Sequence, residues 1–371
     1  MPTYKSIRYI VPDEAVEHTD SINALADVDT STVAPEVGQT LKWSATNSKW
    51  QPADIAEEED ATYTPNEKAI FAFGNGPGSP GYTTKSNLVS NTGVVATDVS
   101  GVGTARDKLA AANYGGDKAV FAFGQNNFSG SGGMINISNL VSNQGVIATD
   151  TTGVGTSRME LAATGYGGDK ALFGYGYHSS GLTGQSQSFN LVSNTGVIAN
   201  DANAAGMRRS RLAAVRYGTD TAVFAFGWDD DDWYGVGYTN VSNLVSNTGI
   251  VASDTTTAGT IKCRLAACTY GEDKAVFSFG HVDDNGYYAA TNQNNYVSNT
   301  GVIAADSNGL ATSRRWLAAA GYGGDKGIFA YGGAEDDTNE KNLVSSTGVV
   351  SANQTGVGTA RFRLAAAGYA L

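Results

Sequence analysis

A segment of about fifty residues recurs six times along this chain, and it constrains the possible folds more than any other feature. The string DKAVFAFG at 117–124 returns with small changes at 169–176, 220–227, 273–280 and 325–332, and a first version occupies 67–74. Two other strings, NLVSNTGVVATD at 87–98 and RDKLAAANYG at 106–115, recur with the same period. A period of this length predicts an array of identical supersecondary units.

The composition excludes several classes of protein. Glycine supplies 47 of 371 residues, charged side chains only 16%, aromatic side chains 10%, and the formal net charge is −12. Disorder is unexpected because apolar residues are plentiful, and a membrane span because they never form a long run. A collagen helix is excluded because glycine does not recur at every third residue. The acidic balance argues against nucleic-acid binding, and the first residues contain no apolar core of signal-peptide length. We therefore expect no nucleic acid, no membrane insertion and no export signal.

Each copy predicts four short antiparallel strands. LAAANYG and KAVFAFG are apolar runs of strand length joined by a Gly-Gly-Asp turn, and Asn-Thr-Gly joins NLVSN to GVVATD in a hairpin. Four strands per fifty residues are typical of a propeller blade. The continuous apolar run AVFAF predicts a strand buried on both faces, and the alanine-rich run suits an innermost strand where blades converge.

The two ends of the array predict how it closes. The first copy has no LAA strand, since residues 59–66 read EDATYTPN, whereas the last copy carries a surplus one, RFRLAAAGYAL at 361–371. Pairing this segment with KAIFAFG would complete the first blade and remove two open edges. The prediction is an all-β fold: a six-bladed β-propeller over 67–371, closed by its terminal strands and preceded by a small N-terminal module, 1–66.

The repeat resembles the kelch repeat, in which an arginine precedes the inner strand and a glycine pair follows the second strand. The copies here carry a single glycine at that place, except at Gly332–Gly333. The resemblance covers about four-fifths of the chain and implies a kelch-like propeller. Kelch propellers include adaptors, enzymes and viral proteins, so the fold alone does not give the function.

The N-terminal part resembles a segment of bacteriophage tail-fibre and other virion proteins. Residues 24–55 contain the ordered elements DVDTS, GQ, LKW and KWQPAD, and LKW and KWQP predict two strands around a polar turn. Such a unit is too small to bury a core alone. The resemblance implies a virion location, contacts with other virion proteins through residues 1–66, and a possible homotrimer.

The segments between the second and third strands differ completely from copy to copy, whereas the other segments are uniform. They hold 9 to 15 residues and leave the blades on one side, which is typical of a recognition surface on a rigid frame. Aromatic rings beside carboxylates suit sugars, so a weak glycan site is predicted. It comprises Trp228, Asp229, Asp230, Asp231, Asp232, Trp233, Tyr234, Asp283, Asp284, Tyr287 and Tyr288. The alternative is that these loops are hydrated, vary freely in sequence and have no binding role.

A set of six cations also follows from the repeat, each three residues before a leucine. An anion site is possible there, but hydrogen bonds to loop carbonyls and acids make a structural role the better interpretation. The set is Arg106, Arg158, Arg209, Lys262, Arg314 and Arg361.

Catalysis has little support in the sequence. The histidines His18, His178 and His281 are scattered, Cys263 and Cys268 cannot form a metal framework, and no catalytic motif is present. The acidic loops do not follow a calcium-loop spacing, so no metal or other cofactor is predicted. The leading hypothesis is a bacteriophage virion structural protein of the tail-fibre type, which binds a host-surface glycan or a virion protein. A glycan-cleaving virion enzyme and an intracellular kelch-type adaptor are the alternatives.

Overall fold

The computed structural model describes residues 28–29, 39–44, 46–54, 66–78, 81–127, 133–178, 184–229, 237–284, 287–334 and 336–370. All regular elements within these ranges are β-strands, and they form small antiparallel sheets. None of these residues belongs to a helix with the length and apolar character that a bilayer crossing requires. Residue contacts divide the chain into two compact units, Met1–Ala61 and Thr62–Leu371.

The first unit contains the hairpin that its sequence predicts. Strands β1 (Gln39–Ser44) and β2 (Lys49–Asp54) pair antiparallel around the polar turn. Trp43 and Trp50 are directly opposite in this register, and their rings meet edge to face with centroids 5.7 Å apart. The backbone N–H of Asp29 donates to the carbonyl oxygen of Trp50 at 2.8 Å. Val28 and Asp29 of the DVDTS element therefore lie beside Trp50 of the KWQPAD element.

The described residues of the second unit form twenty-two strands. In chain order they are β3 (Lys68–Ala72), β4 (Ser86–Val89), β5 (Ala110–Tyr114), β6 (Lys118–Ala122), β7 (Ser138–Val141), β8 (Ala162–Tyr166), β9 (Lys170–Gly174), β10 (Ser188–Val192), β11 (Ala202–Asn203), β12 (Ala213–Tyr217), β13 (Thr221–Ala225), β14 (Val241–Val245), β15 (Thr255–Thr256), β16 (Ala266–Tyr270), β17 (Lys274–Ser278), β18 (His281–Asp284), β19 (Tyr287–Ala290), β20 (Asn294–Val297), β21 (Ala318–Tyr322), β22 (Lys326–Ala330), β23 (Lys341–Val344) and β24 (Ala365–Tyr369).

These strands form six sheets, one per copy of the repeat. The strand orders are β24-β3-β4, β5-β6-β7, β8-β9-β10-β11, β12-β13-β14-β15, β16-β17-β20 and β21-β22-β23, while β18 and β19 form a separate hairpin. The last strand of the chain lies beside the first strand of the array, in a register that places Ala365 opposite Ala72 and Tyr369 opposite Lys68. The first sheet thus contains both ends of the array, as its missing and surplus strands predict.

The predicted fourth strand is largely absent, and this part of the prediction is wrong for most copies. Among the described residues, only β11 and β15 form a fourth strand; each has two residues and follows the predicted segment, which itself contacts the third strand through single bridges such as Val89–Val95. In all six copies, including those with β11 and β15, an asparagine side chain bonds to this segment: Asn87 Nδ2 donates to the carbonyl of Ala96 at 3.0 Å, and five equivalent asparagines do the same. These side-chain amide bonds take the place of some backbone hydrogen bonds between the third strand and this segment.

The second strand of each sheet is buried on both faces, as its continuous apolar sequence predicts. In β6, for example, the four residues after Lys118 are fully buried. The hydrophobic core consists of six clusters, each formed by side chains of two neighbouring sheets, and the cluster of the sixth and first sheets joins Ile328 to Phe71. Each sheet is therefore stabilised by packing against a sheet on either side.

The first strands of the six sheets contact one another in sequence, and β24 contacts both β21 and β5. Hydrogen bonds between backbones close this series at both ends of the strands. At one end, the N–H of Glu160 donates to the carbonyl of Lys108, and the N–H groups of 211, 264, 316 and 363 each donate in the same way to the preceding member of the series. The series returns to its start because the N–H of Lys108 donates to the carbonyl of Arg363. At the other end, Gly115 donates to Asp169, and the series ends with Ala370 donating to Asp117.

A recurring aspartate binds the linker, the segment that leads into the first strand of each sheet. Asp150 accepts hydrogen bonds from the backbone N–H of Thr104 at 3.0 Å and from its hydroxyl at 2.7 Å, and Asp98 does the same for Thr359 across 261 residues of chain. We call this set the latch aspartates: Asp98, Asp150, Asp201, Asp254 and Asp306. The sixth copy has Asn353 at this position.

Candidate functional site

All six variable loops begin at the same end of the first strands. In the second copy, Gln125 opens the loop, and its backbone exchanges two 2.9 Å hydrogen bonds with Asp107, which precedes β5. Equivalent bridges join 75 to 362, 177 to 159, 228 to 210, 281 to 263 and 333 to 315. We call this end the mouth.

The chain reaches this bridge through a strained corner. Phe123 and Gly124 both have positive φ, of 64° and 107°, and a Cβ at Gly124 would lie 2.6 Å from the carbonyl oxygen of Asp107. The glycine after each second strand therefore allows the close approach that anchors the loop.

The structure describes only part of the predicted glycan site. Trp228 lies at the base of its loop, with the Arg211 guanidinium 5.2 Å from its ring centroid and the Tyr238 ring 4.9 Å away, edge to face. The backbone N–H of Asp229 donates to Gly237 at 2.6 Å. The other predicted residues of this loop lie outside the described residues: Asp230, Asp231, Asp232, Trp233 and Tyr234.

The second part of the predicted glycan site lies on the hairpin β18–β19. Its register places Asp283 opposite Tyr288 and Asp284 opposite Tyr287. The hairpin begins at His281, whose backbone bridges to Cys263 at the mouth. Both predicted clusters thus start at the mouth, on neighbouring sheets.

The predicted set of six cations is buried rather than presented to solvent. The Arg106 guanidinium is fully buried, lies 4.1 Å from the ring centroid of Phe73 on the preceding sheet, and donates to the carbonyl of Phe123 and to Asn139 Oδ1. Its pKa falls to about 10, because burial disfavours the charged form while Asp150 opposes the change. Arg158, Arg209, Lys262, Arg314 and Arg361 stack on neighbouring aromatic rings in the same way. These contacts join adjacent sheets and leave little access for a ligand.

A different set of side chains lines the mouth, and the sequence analysis missed it. It comprises the residues two positions after the buried cations: Lys108, Glu160, Arg211, Arg264, Trp316 and Arg363, which we call the mouth ring. They surround a cavity of about 130 Å³ and all have φ between 54° and 59°, which is unusual for residues other than glycine. The available sequence signal was a pair of varied positions between each recurring cation and the leucine that follows it, 107 and 108 in the second copy.

The mouth ring carries an excess of positive charge. It holds four cations and a single carboxylate, Glu160, which accepts from Arg211 Nε at 2.8 Å and lies 3.5 Å from Lys108 Nζ. Burial would raise the pKa of Glu160, but Arg211 and Lys108 outweigh it and hold that pKa below its ordinary value. Burial lowers the pKa of Lys108; the charges of Arg363 and Arg211 lower it further, while Glu160 opposes the change. The cations are therefore close enough to repel one another.

Aromatic and polar groups fix the guanidinium groups of the mouth ring. Arg264 and Arg363 each lie 4.7 Å from the ring centroid of Trp316. Arg264 Nη1 is 3.2 Å from His281 Nδ1, and Arg315 Nη1 is 3.0 Å from His281 Nε2.

An acidic residue lies just behind the mouth ring. Asp107 is fully buried, and its Oδ2 is 3.6 Å from Arg363 Nη1. Its pKa rises to about 6, because burial outweighs the attraction of Arg363 and Lys108. When ionised, Asp107 offsets part of the positive charge of Arg363 and Lys108.

Alanine lines the space behind the mouth ring. A second cavity of about 70 Å³ lies toward the other end of the first strands and shares six lining alanines with the first. Asn66 lines its far end, where its side chain contacts Gly368. Asn113, Thr164, Arg216 and Thr269 also line this second cavity, so the space behind the mouth is bounded by alanine together with polar side chains.

The described residues include no group of three or more His, Cys, Asp or Glu side chains placed to hold a metal ion. Cys263 and Cys268 are both buried thiols, and burial raises the pKa of Cys263 to about 12 despite the nearby Arg264 and Arg211. A cluster of fixed cations in a cavity can bind an anionic group. Comparison with protein-family models and with curated proteins gives no match for this chain.

Proposed function

We propose that residues 67–371 form a six-bladed β-propeller, and that the chain is a bacteriophage virion structural protein of the tail-fibre type. In this proposal the propeller binds a host-surface glycan, or a neighbouring virion protein, through its mouth. The observation that carries the proposal is that the described bases of all six variable loops lie around one cationic cavity.

Three features support the propeller. Neighbouring sheets share six cores, the two series of backbone hydrogen bonds return to their starting sheets, and β24 pairs with β3. A circular arrangement of six blades accounts for all three, because every sheet then has two neighbours and the edge between the chain ends is filled.

The hairpin of the first unit supports the virion assignment. The elements that resemble tail-fibre proteins, DVDTS and KWQPAD, are in contact through Asp29 and Trp50. The Trp43 side chain remains 42% exposed, as expected of a small unit that completes its core against other copies or another virion protein.

Mass spectrometry of purified particles tests the virion assignment. Peptides from both units should be present in particles of the virus that encodes the chain. Their absence from particles, when the protein is made in infected cells, would contradict the assignment.

Binding to immobilised bacterial surface polysaccharides tests the role of the mouth. Replacing residues 230–236 with a glycine–serine linker of equal length should weaken binding by at least about tenfold if this loop contributes aromatic anchors. Val197→Ser, at the exposed turn far from the mouth, is the matched control and should bind normally. Equal binding by all three proteins would contradict the role of the mouth, and shortening of the polysaccharide would favour the enzyme alternative.

A further inference from the structure

We infer that the mouth ring binds the carboxylate group of an acidic saccharide. This inference rests on the proposed function and deepens it, because it names the class of glycan. It concerns Lys108, Arg211, Arg264 and Arg363 around the 130 Å³ cavity.

The charge of the mouth ring is the first argument. Four cations and one carboxylate give the ring a formal charge of +3 in a protein whose net charge is −12. Their side chains are largely withdrawn from water: that of Lys108 is 14% exposed and that of Arg363 is 24% exposed. Like charges held together out of water are stabilised by a bound anion more than the same charges at an open surface would be.

The donors of the guanidinium groups are the second argument. The Nε atoms of Arg264 and Arg363 are buried and have no acceptor among the described residues, so only the Nη atoms of these groups are left for a ligand. Both groups stack on the same ring, Trp316, which restricts their orientation. Guanidinium groups fixed in this way are suited to bidentate contacts with a carboxylate, whereas an ammonium group would act only as a point charge.

The size and surroundings of the cavity favour a saccharide over other carriers of an anion. A space of about 130 Å³ is smaller than the roughly 300 Å³ or more of a site that encloses a whole small ligand, so it accommodates only a terminal group. The remainder of the ligand would lie over the loop bases, where the Trp228 ring is partly exposed and the buried Tyr238 ring packs against it. Aromatic rings beside an anion site are suited to the C–H faces of a sugar.

Calorimetric titration of the full chain with defined oligosaccharides tests this inference. The probes are a hexagalacturonate, a hyaluronan hexasaccharide and sialyllactose, each compared with its carboxyl-reduced counterpart. At least one acidic probe should bind, its reduced form should bind at least about tenfold more weakly, and binding should weaken with added salt.

Two substitutions of lysine provide matched variants. Lys108→Gln removes a charge at the mouth and should weaken binding about tenfold. Lys170→Gln removes the same charge near the turn at the other end of the first strands, where the side chain is 46% exposed, and should leave binding unchanged. Arg264→Lys keeps the charge but loses the planar guanidinium group, so it should also weaken binding. This second variant tests the site even if the Lys108→Gln protein misfolds.

The outcomes separate this inference from the proposed function. Equal binding of acidic and reduced probes, or binding of none of them by a protein that binds surface polysaccharide, would overturn the inference alone. Preference for a polyglutamate peptide, or for inorganic phosphate, would overturn the saccharide assignment. Failure to bind any surface polysaccharide would overturn the glycan role itself.

Discussion

Replacing Lys262 with arginine should stabilise the protein, because one position of the buried cation set is incomplete. In the other five copies, arginine Nη2 donates to the Oδ1 atom of an asparagine on the third strand, for example Arg106 to Asn139 at 2.8 Å and Arg361 to Asn87 at 2.7 Å. Lys262 does not make this bond, and Asn295 Oδ1 is buried without a partner among the described residues.

The surroundings of Lys262 already match those of the arginines. Its Nζ lies 5.1 Å from the ring centroid of Phe226 and 3.4 Å from Asp306 Oδ1. The Asn295 amide is held by bonds from Nδ2 to Ala304 at 3.0 Å and to Asp306 at 2.9 Å, so its Oδ1 is already oriented for a donor.

The expected gain follows from this missing bond. An unsatisfied buried acceptor costs about 1–3 kcal/mol, and a bond from a charged donor contributes a similar amount. Allowing for imperfect packing of the longer side chain, Lys262→Arg should raise the free energy of unfolding by about 1.5 kcal/mol. For a unit of this size, that corresponds to a rise in Tm of about 3 °C.

Urea denaturation of the two proteins measures this difference, provided that the slope of the transition is unchanged. Arg209→Lys is the reciprocal control: it removes the 2.6 Å bond to Asn243 and should destabilise the protein by a similar amount. An unchanged or lower midpoint for Lys262→Arg, with normal destabilisation by Arg209→Lys, would refute the reasoning.

Three further predictions concern the frame of the protein. Hydrogen bonds from linker threonines outweigh burial and hold the pKa values of four aspartates, Asp98, Asp150, Asp201 and Asp306, below the ordinary value. These aspartates should therefore stabilise the protein above about pH 4, and this stabilisation should be lost as the pH falls further. An Asp150→Asn variant that loses stability with falling pH to the same extent as the parent would argue against this role. Deleting 361–371 removes the partner of β3 and should cause aggregation on size-exclusion chromatography; a monomeric truncated protein of equal stability would contradict the closure. Deleting 1–61 should convert an oligomer of the full chain to a monomer in sedimentation experiments. An unchanged number of subunits per particle would rule out oligomerisation through this unit.

Much of the architecture follows from local pattern, because each copy repeats the same signals. The run KAVFA predicts a strand buried on both faces, and the surplus RLAAAGY predicts the partner of β3; both are present in the structure. The predicted fourth strand is wrong for most copies, and the pattern GVVATD does not reveal that the Asn87 side chain bonds to the carbonyl of Ala96.

The amino-acid sequence by itself determined the number of copies, the second strand of each sheet and the place where the chain ends meet. These depend on hydrophobicity and turn residues, which act between neighbours along the chain. Only the tertiary structure decided which cations are buried and which face the mouth. Arg106 and Lys108 are two residues apart in the same segment, yet one stacks on Phe73 inside the sheets and the other lines the cavity. That difference arises from contacts between separate sheets, which no local pattern encodes.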